Sequence, residues 1–290
     1  MRRSLPSTPR RSRWALRRVV ESILFYLAVA IGLVLSIFPV FWVVLTSFRP
    51  MVDIFRFRPQ WIPQTLNFDN YAAVFKSIAL TDYLRNTLVV SLSVTLICLL
   101  IGSLAGYALA RFRFRGSSLT QSVFLVARML PYITALVPLF LIVAALRMLD
   151  TYTALIAIHV AFKLPITIWL MQAYISTIPI ELEEAAKLDG CSVFQVLTRI
   201  TGPLIVPGFA GAGIIAFLFT WNDLLIALVI ASTRRTQPMA VGLTNFFLEH
   251  GIDWGPMSAA AVIMLLPALA FAFFAQRYLI QGLTAGGMKG

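Results

Sequence analysis

Six long runs of apolar residues dominate the sequence, and they restrict the possible folds more than any other feature. A helix needs about 20 apolar residues to cross a bilayer. Only 12% of the residues are charged, about half the share of a soluble domain. The sequence therefore predicts an all-α membrane protein in which residues 23–280 form one transmembrane domain. The six predicted transmembrane helices cover approximately residues 23–48, 84–110, 119–146, 154–174, 204–231 and 257–276.

The positions of the basic residues predict the orientation in the membrane. Residues 1–22 form a basic segment, and the motif RFRFRG at 111–116 follows the second apolar run. Basic residues accumulate on the cytoplasmic side of membrane proteins. We therefore expect the N-terminal segment in the cytoplasm and, after six crossings, the tail 281–290 there too. Arg234 and Arg235 would then lie outside, and they are the main evidence against this orientation.

Charge and motifs exclude several classes of function. The net charge of +12 does not indicate a nucleic-acid partner, because much of it belongs to the basic N-terminal segment, a usual cytoplasmic anchor. Cys98 and Cys191 have no CxxC or histidine neighbour, so we expect no disulfide and no metal site. The chain also lacks a GxxxxGKS or GxxxxGKT phosphate loop and the HExxH and GxSxG motifs. We expect no catalytic residues.

The most informative polar segment, residues 175–203, lies between the fourth and fifth apolar runs. Pro179 followed by acidic residues favours a helix start, and Gly190 suits the left-handed position after a helix. Ser192 begins a capping box that predicts a second helix over 193–200, closed by a Gly-Pro pair. The pattern indicates two short amphipathic helices outside the bilayer. From the residues alone they are either a docking element for a partner or a plain connector.

This segment resembles the EAA signature of permease subunits in binding-protein-dependent ABC importers. The signature is Glu-Ala-Ala, a glycine four residues later, and Ile-x-Leu-Pro after nine more. Gly202 stands where the signature has Leu, which removes one apolar contact from the second helix. The stretches FPVFWVVLTSFRP, FTWNDLLIAL and GLTAGGMKG resemble the second permease subunit of maltose-type carbohydrate importers. The residues that match the signature are Glu184, Ala185, Ala186, Gly190, Ile200 and Pro203.

The resemblance implies a type I ABC importer permease fold in which the EAA loop acts as a cytoplasmic coupling helix. The loop would dock in a cleft of an ATP-binding subunit, and the C-terminal tail would reach between two such subunits, although a disordered tail is the alternative. The implied docking residues are Glu184, Ala185, Ala186, Asp189, Gly190, Ile200 and Pro203. The implied tail contacts are Gly286, Gly287 and Gly290.

The resemblance also implies a set of partners. These are a homologous permease subunit in a heterodimer, two ATP-binding subunits that use ATP and Mg, and an external solute-binding protein. The chain itself would bind no cofactor and would lie in the plasma (inner) membrane of a prokaryote. The outer segment 232–256 is similar in position to a loop that enters the solute-binding protein, and a plain solvated loop is the alternative.

Polar residues within the apolar runs are candidates for the solute pathway, since a charge inside a membrane is costly and usually functional or paired. The best candidates are Asn222 and Asp223, with Trp221 as a ring that could stack on a sugar. Alternatively, Asp223 caps a helix at the interface or pairs with Arg128 or Lys163, and the tryptophan packs in the core.

Two interpretations of the function follow. In the first, the chain is a permease subunit for a sugar or related polyol, coupled to ATPase subunits through the EAA loop. The second is a polytopic membrane enzyme or a self-contained channel. An enzyme should cluster His, Asp or Glu at helix ends, and the chain has only two histidines. A channel would need no ATPase-docking loop. The carbohydrate substrate rests on the family resemblance alone.

Overall fold

The computed structural model describes residues 10–55, 61, 65–77, 79–129, 131–248 and 251–286. Helices account for most of these residues, and a single two-stranded antiparallel hairpin pairs Phe247 with Ile252. In chain order the elements are α1 (Arg10–Ser47), α2 (Met51–Ile54), α3 (Asp69–Ser77), α4 (Leu80–Arg111), α5 (Ser117–Met129), α6 (Tyr132–Ala145), α7 (Tyr152–Ser176), α8 (Ile180–Leu188), α9 (Val193–Gln195), a π-helix (Val196–Thr201), α10 (Gly202–Leu204), α11 (Val206–Trp221), α12 (Leu225–Ile230), α13 (Met239–Gly242), a 3-10 helix (Leu243–Phe246), β1 (Phe247–Leu248), β2 (Gly251–Ile252) and α14 (Trp254–Gly286).

Bilayer-length apolar helices form the bulk of the described structure. Four of them are continuous: Arg18–Ser47 within α1, all of α4 and α7, and Trp254–Phe274 within α14. Two bent pairs, α5 with α6 and α9–α10 with α11, raise the number of candidate spans among the described residues to six if each pair is one span. Many Leu, Val, Ile and Phe side chains on these helices are exposed, as expected where lipid is the solvent. The predicted all-α membrane fold is confirmed.

The helix predicted over residues 119–146 is divided in the structure. α5 ends at Met129 and α6 begins at Tyr132, and their axes differ by 96°. Pro131 is the N-cap of α6, and a proline has no backbone N–H with which to continue the hydrogen bonding of a helix. The expectation of one continuous helix is wrong because it considered only the apolar character of the run.

The helix predicted over residues 204–231 is also divided. The chain leaves the helical path at Asn222–Leu224, between α11 and α12. Asp223 fixes the break, because its Oδ1 accepts a hydrogen bond of 3.0 Å from the backbone N–H of Ile226 and so caps the first turn of α12. A polar pair inside an apolar run therefore ended a helix that the hydropathy alone predicted to continue.

The first and last helices are longer than predicted. α1 begins at Arg10, inside the segment 1–22 that we expected to precede the membrane domain. Arginine, alanine and leucine favour helices, so the helix extends beyond the apolar run. α14 continues to Gly286, inside the predicted tail 281–290. Both predicted domain borders therefore fall within helices.

Glycines bring α4, α7 and α11 into close contact. A Cβ atom on Gly106 of α4 would lie 2.8 Å from the backbone N of Gln172 in α7, and Gly102, one turn away, is equally close to α7. A Cβ atom on Gly208 of α11 would lie 2.6 Å from Cγ of Tyr174 in α7. Small residues of this kind let helix backbones approach in membranes. The three helices therefore form a tightly packed unit.

Polar side chains fix the 231–237 loop at the end of the bundle where α4 and α7 begin. Asp150, which precedes α7, accepts hydrogen bonds from two threonine hydroxyls and two backbone N–H groups of this loop. Asn86 of α4 donates to two of its carbonyl oxygens at 2.9 Å each. The loop is thus held to both neighbouring helices. We call the end of the bundle that carries this loop the loop end.

Candidate functional site

The EAA loop, residues 178–204, lies at the other end of the bundle and connects α7 to α11. Pro179 is the N-cap of α8, and Gly190 after its C-terminus has a φ of +85°, which glycine adopts without strain. Gln195 N–H donates to the Ser192 hydroxyl at 3.3 Å, and Ser192 N–H donates to the Gln195 side chain at 2.7 Å. The predicted left-handed glycine and capping box are confirmed.

The second part of the EAA loop differs from the expected α-helix over 193–200. Only α9 is α-helical there, and the next six residues form a π-helix. The N–H of Gly202 bonds to the carbonyl of Leu197, one residue further back than in an α-helix. A Cβ atom at residue 202 would lie 3.0 Å from that carbonyl oxygen, so glycine suits the wider turn. The predicted stop at Pro203 is wrong, since α10 continues to a 76° bend at Ile205.

α8 has one exposed face and one buried face. Glu184, Ala185, Asp189 and Gly190, four of the predicted docking residues, are exposed. Ala186 is only 7% exposed and packs inside the chain, contrary to our expectation that it contacts a partner. The helical repeat explains this difference, because adjacent residues in a helix point in different directions.

Large apolar side chains and further predicted residues extend the exposed face. Leu188 is 90% exposed and Phe194 is 72% exposed. Pro203 is exposed and Ile200 is partly buried. Leucine and phenylalanine this exposed beside acidic residues are typical of a surface that contacts another protein.

Glu183, which was not among the predicted site residues, fixes the buried face of α8. Its carboxylate is 1% exposed and pairs with the Nε atom of Arg111 at 2.9 Å. The hydroxyls of Tyr107 and Thr201 donate to it at 2.8 and 3.0 Å. Glu183 lies three residues before Ala186 on the same helix face, and the structure buries both, but nothing in the sequence indicated that this face is turned inward. The RFRFRG motif was interpreted only as an orientation signal.

A second polar site lies at the break between α11 and α12. The carboxylate of Asp223 is buried, with Oδ1 at 3.8 Å from His159 Nε2 and Oδ2 at 3.8 Å from Lys163 Nζ. His159 Nδ1 contacts the Leu155 carbonyl oxygen at 2.8 Å, and its Nε2 has no hydrogen-bond partner among the described atoms. Of the pairings considered for Asp223, the structure shows the one with Lys163. The side chain of Arg128 lies outside the described part.

The two residues before Asp223 have different surroundings. Trp221 is 1% exposed, stacks on Phe217 with ring centroids 5.3 Å apart, and donates to the Met264 carbonyl oxygen at 3.2 Å. It packs in the core, as the alternative interpretation held, and offers no face to a solute. Asn222 is exposed, and its side-chain amide donates to the Leu218 carbonyl oxygen at 2.9 Å.

The predicted tail contacts are largely beyond the described residues. Gly286 is the last residue of α14, and Gly287 and Gly290 lie outside the described part of the chain. Among the residues that the structure does describe, no group of three or more His, Cys, Asp or Glu side chains is placed to hold a metal ion.

The fold and these sites define a class of protein. Bilayer-length helices, a helix broken at buried charges and a polar loop with an exposed acidic and apolar face are features of a membrane transport component. The chain belongs to the family of binding-protein-dependent transport system inner membrane components, whose model matches residues 98–285. It is therefore a multi-pass, non-catalytic permease subunit of an ABC importer, in which separate subunits hydrolyse ATP. An enzyme or a self-contained channel is not favoured.

Individual relatives agree with this assignment. The chain is 35% identical over 276 residues to the inner membrane ABC transporter permease protein YcjP of Escherichia coli (strain K12), covering 94% of this chain and 99% of that protein. It is 32% identical over 275 residues to the trehalose/maltose transport system permease protein MalG of Thermococcus litoralis, covering 94% and 98%.

A solved structure shows the same fold. A chain of a bacterial ABC transporter involved in the import of the acidic polysaccharide alginate superposes with a TM-score of 0.78 at 20% identity. The match covers 95% of the present chain and 100% of that chain. The expected type I importer permease fold is confirmed.

Proposed function

We propose that this chain pairs with a homologous permease subunit to form the pathway for a sugar or a related polyol across the plasma (inner) membrane of a prokaryote. Two ATP-binding subunits, which use ATP and Mg, would drive transport, and an external solute-binding protein would deliver the solute. The carbohydrate substrate is supported by the trehalose/maltose permease and the alginate importer described above. Residues 18–41 of α1 are exposed within the chain, which leaves this part of the helix accessible to lipid and to the second permease.

This proposal rests mainly on the EAA loop, which has one exposed face and one buried face. Its exposed face combines acidic Glu184 and Asp189 with the large apolar side chains of Leu188 and Phe194. Such a surface suits a cleft that contains both apolar walls and basic side chains. Docking of an ATP-binding subunit here explains why a connector between two transmembrane helices has an ordered capping box and a sharp glycine turn.

The same docking supports the predicted orientation. If the ATP-binding subunits meet the EAA loop, this end of the bundle faces the cytoplasm. The six spans then place both termini on that side, together with Arg111, Arg113 and Arg115 at the end of α4. The loop end, with the exposed side chains of Phe247 and Trp254, would meet the solute-binding protein. Gly286, at the end of α14, would lead the tail towards the ATP-binding subunits.

The helix break at Asp223 supports a role in the solute pathway. Broken helices and buried charges within a membrane are tolerated where they line a cavity or a binding site. Asn222 presents an exposed amide there, and Lys163, near the middle of α7, balances the charge of Asp223. A polar surface whose charges are mutually paired suits a hydroxyl-rich, uncharged solute.

A matched pair of glycine variants tests the docking role. In proteoliposomes with the complete importer, Gly190→Val should retain ATP hydrolysis and lose uptake of trehalose and maltose, because a β-branched residue distorts the left-handed turn of the EAA loop. Gly116→Val is the control, since Gly116 also has a positive φ of 94° and open space around its Cβ position. It lies outside the EAA loop and should retain uptake. Normal uptake by the Gly190 variant would contradict the docking role.

A further inference from the structure

The buried carboxylate of Glu183 joins three separate segments of the chain at the EAA end. Arg111 and Tyr107 belong to the last turns of α4, and Thr201 closes the π-helix that follows α9. Arg111 also donates from Nη2 to the carbonyl oxygen of Ile178 at 2.9 Å. One ionic group thus connects both halves of the EAA loop to a helix that is distant in sequence.

A charge in this position needs its partners. The Arg111 side chain is 9% exposed and that of Glu183 is 1% exposed, so neither charge is well solvated by water. Buried ion pairs are tolerated only when close geometry and additional hydrogen bonds compensate for lost hydration, and here Tyr107 and Thr201 supply those bonds. The arrangement is therefore specific: a shift of α8 relative to α4 would break the pair.

The connection matters because α4 has no covalent link to the EAA loop. The chain itself attaches the loop to α7 and to α11, whereas α4 is joined to it by side-chain contacts. Behind the ion pair, α4 is locked to α7 through Gly102 and Gly106, where even a methyl group would clash. A force on the loop can therefore reach the α4–α7 pair directly through Glu183.

We infer that Glu183 is a positioning residue that makes the EAA loop and α4 move as one body when the ATP-binding subunits close. The inference rests on the proposed docking of those subunits to the exposed face of α8. It assigns different functions to adjacent acidic residues: Glu184 faces the partner, and Glu183 faces inward and transmits the motion. Allosteric transitions commonly proceed by such rigid-body displacements.

A distance measurement on the assembled importer tests this directly. Spin labels at Lys187 on α8 and at Arg113 beyond α4, both exposed, report the separation of the loop and the helix. In a complex free of its native cysteines, this distance should be the same without nucleotide and with ATP and vanadate. A nucleotide-dependent change in a wild-type complex that hydrolyses ATP would overturn the inference.

Three variants separate transmission from simple loss of folding. Glu183→Gln should make the label distance nucleotide-dependent and lower trehalose uptake per ATP hydrolysed by about tenfold, the factor that corresponds to about 1.4 kcal/mol of coupling free energy. Asp82→Asn, which removes an exposed carboxylate at the opposite end of α4, is the matched control and should change neither quantity. The double variant Arg111→Gln/Glu183→Gln leaves no unpaired charge and should remain uncoupled. Restored coupling in the double variant would show that an orphaned arginine, rather than the lost link, caused the defect.

The outcomes also separate this inference from the proposed function. A wild-type complex that binds no ATP-binding subunit would contradict the docking proposal. If the wild-type complex binds the subunits and imports sugar, and if Glu183→Gln transports as efficiently as Asp82→Asn, only the role of Glu183 would be contradicted.

Discussion

The two ends of the bundle are both fixed by a carboxylate, but by different kinds of donors. At the EAA end, Glu183 is fully buried and pairs with the guanidinium of Arg111. At the loop end, Asp150 is partly buried and accepts hydrogen bonds from neutral hydroxyl and backbone N–H groups. Hydrogen bonds to an ionised carboxylate are charge-assisted at both ends, but Glu183 also has a cationic partner, whereas the donors to Asp150 are neutral. The EAA end is therefore fixed by an ion pair that is buried from water, and the loop end by hydrogen bonds to a partly exposed carboxylate.

The two ends also differ in how closely the helices pack near each carboxylate. At the EAA end, a Cβ on Gly106 would meet the backbone N of Gln172 at 2.8 Å. At the loop end, a Cβ on Gly242 would meet the ring of Tyr83 at 3.0 Å. A side chain can rotate away, whereas a helix backbone must move as a whole. The EAA end should therefore tolerate added volume less than the loop end.

An alanine series sharpens this comparison and has the largest expected effect. Gly106→Ala should lower the free energy of unfolding by about 1–3 kcal/mol because it overpacks a helix contact. Gly242→Ala should cost about 1 kcal/mol or less, since the Tyr83 ring can shift. Gly32→Ala on α1, where no heavy atom lies within 4 Å of the new Cβ, is the control and should be neutral or slightly stabilising. Thermal unfolding in detergent measures all three, and equal costs at Gly106 and Gly242 would remove the contrast.

The pH dependence of the loop end provides the smaller test. Burial by itself would raise the pKa of Asp150, but hydrogen bonds from Thr233 and Thr236 and from backbone N–H groups outweigh it and hold the pKa below its ordinary value of 3.8. A lowered pKa means that the carboxylate stabilises the fold above about pH 3.8 and that this contribution is lost as the pH falls further.

Asp150→Asn should therefore lower the free energy of unfolding by about 1 kcal/mol at neutral pH, because the amide replaces one acceptor oxygen by a donor. The difference from wild type should shrink as the pH falls below about 4. The rate of proteolysis within the 231–237 loop, measured across this pH range, reports the loss of stability at the loop itself. A difference that is unchanged at low pH would show that the charge of Asp150 is not what holds the loop.

Local patterns in the sequence predicted local structure well. The apolar runs located the candidate spans, and the Ser192 capping box and the left-handed Gly190 were correct because each depends on residues close together in the chain. Prolines show where prediction from local sequence fails, because the same residue type has different effects at different positions. Pro131 stands at the start of a new helix, whereas Pro165 lies inside α7 without ending it, because neighbouring helices can compensate for a missing hydrogen bond in a membrane.

Long-range pairings were beyond the sequence analysis for a physical reason. Arg111 and Glu183 are 72 residues apart, so no local pattern links them. Each had an adequate local explanation, as an orientation signal and as a helix N-terminal acid. Asp223 was recognised as a candidate site and, alternatively, as a helix cap, but the helix break beside it was not predicted, because the run 204–231 was judged by its hydropathy alone.

Thiol labelling of Cys191 tests the central claim most directly, which is that the EAA loop faces the cytoplasm and is covered by an ATP-binding subunit. Cys191 is partly exposed between α8 and α9, and Cys98 is buried, so a Cys98→Ala variant leaves one reporter. A membrane-impermeant maleimide should spare Cys191 in intact cells, label it in inside-out vesicles stripped of ATP-binding subunits, and lose access when those subunits are added back. Labelling of Cys191 in intact cells, or labelling that the added subunits do not reduce, would contradict the account.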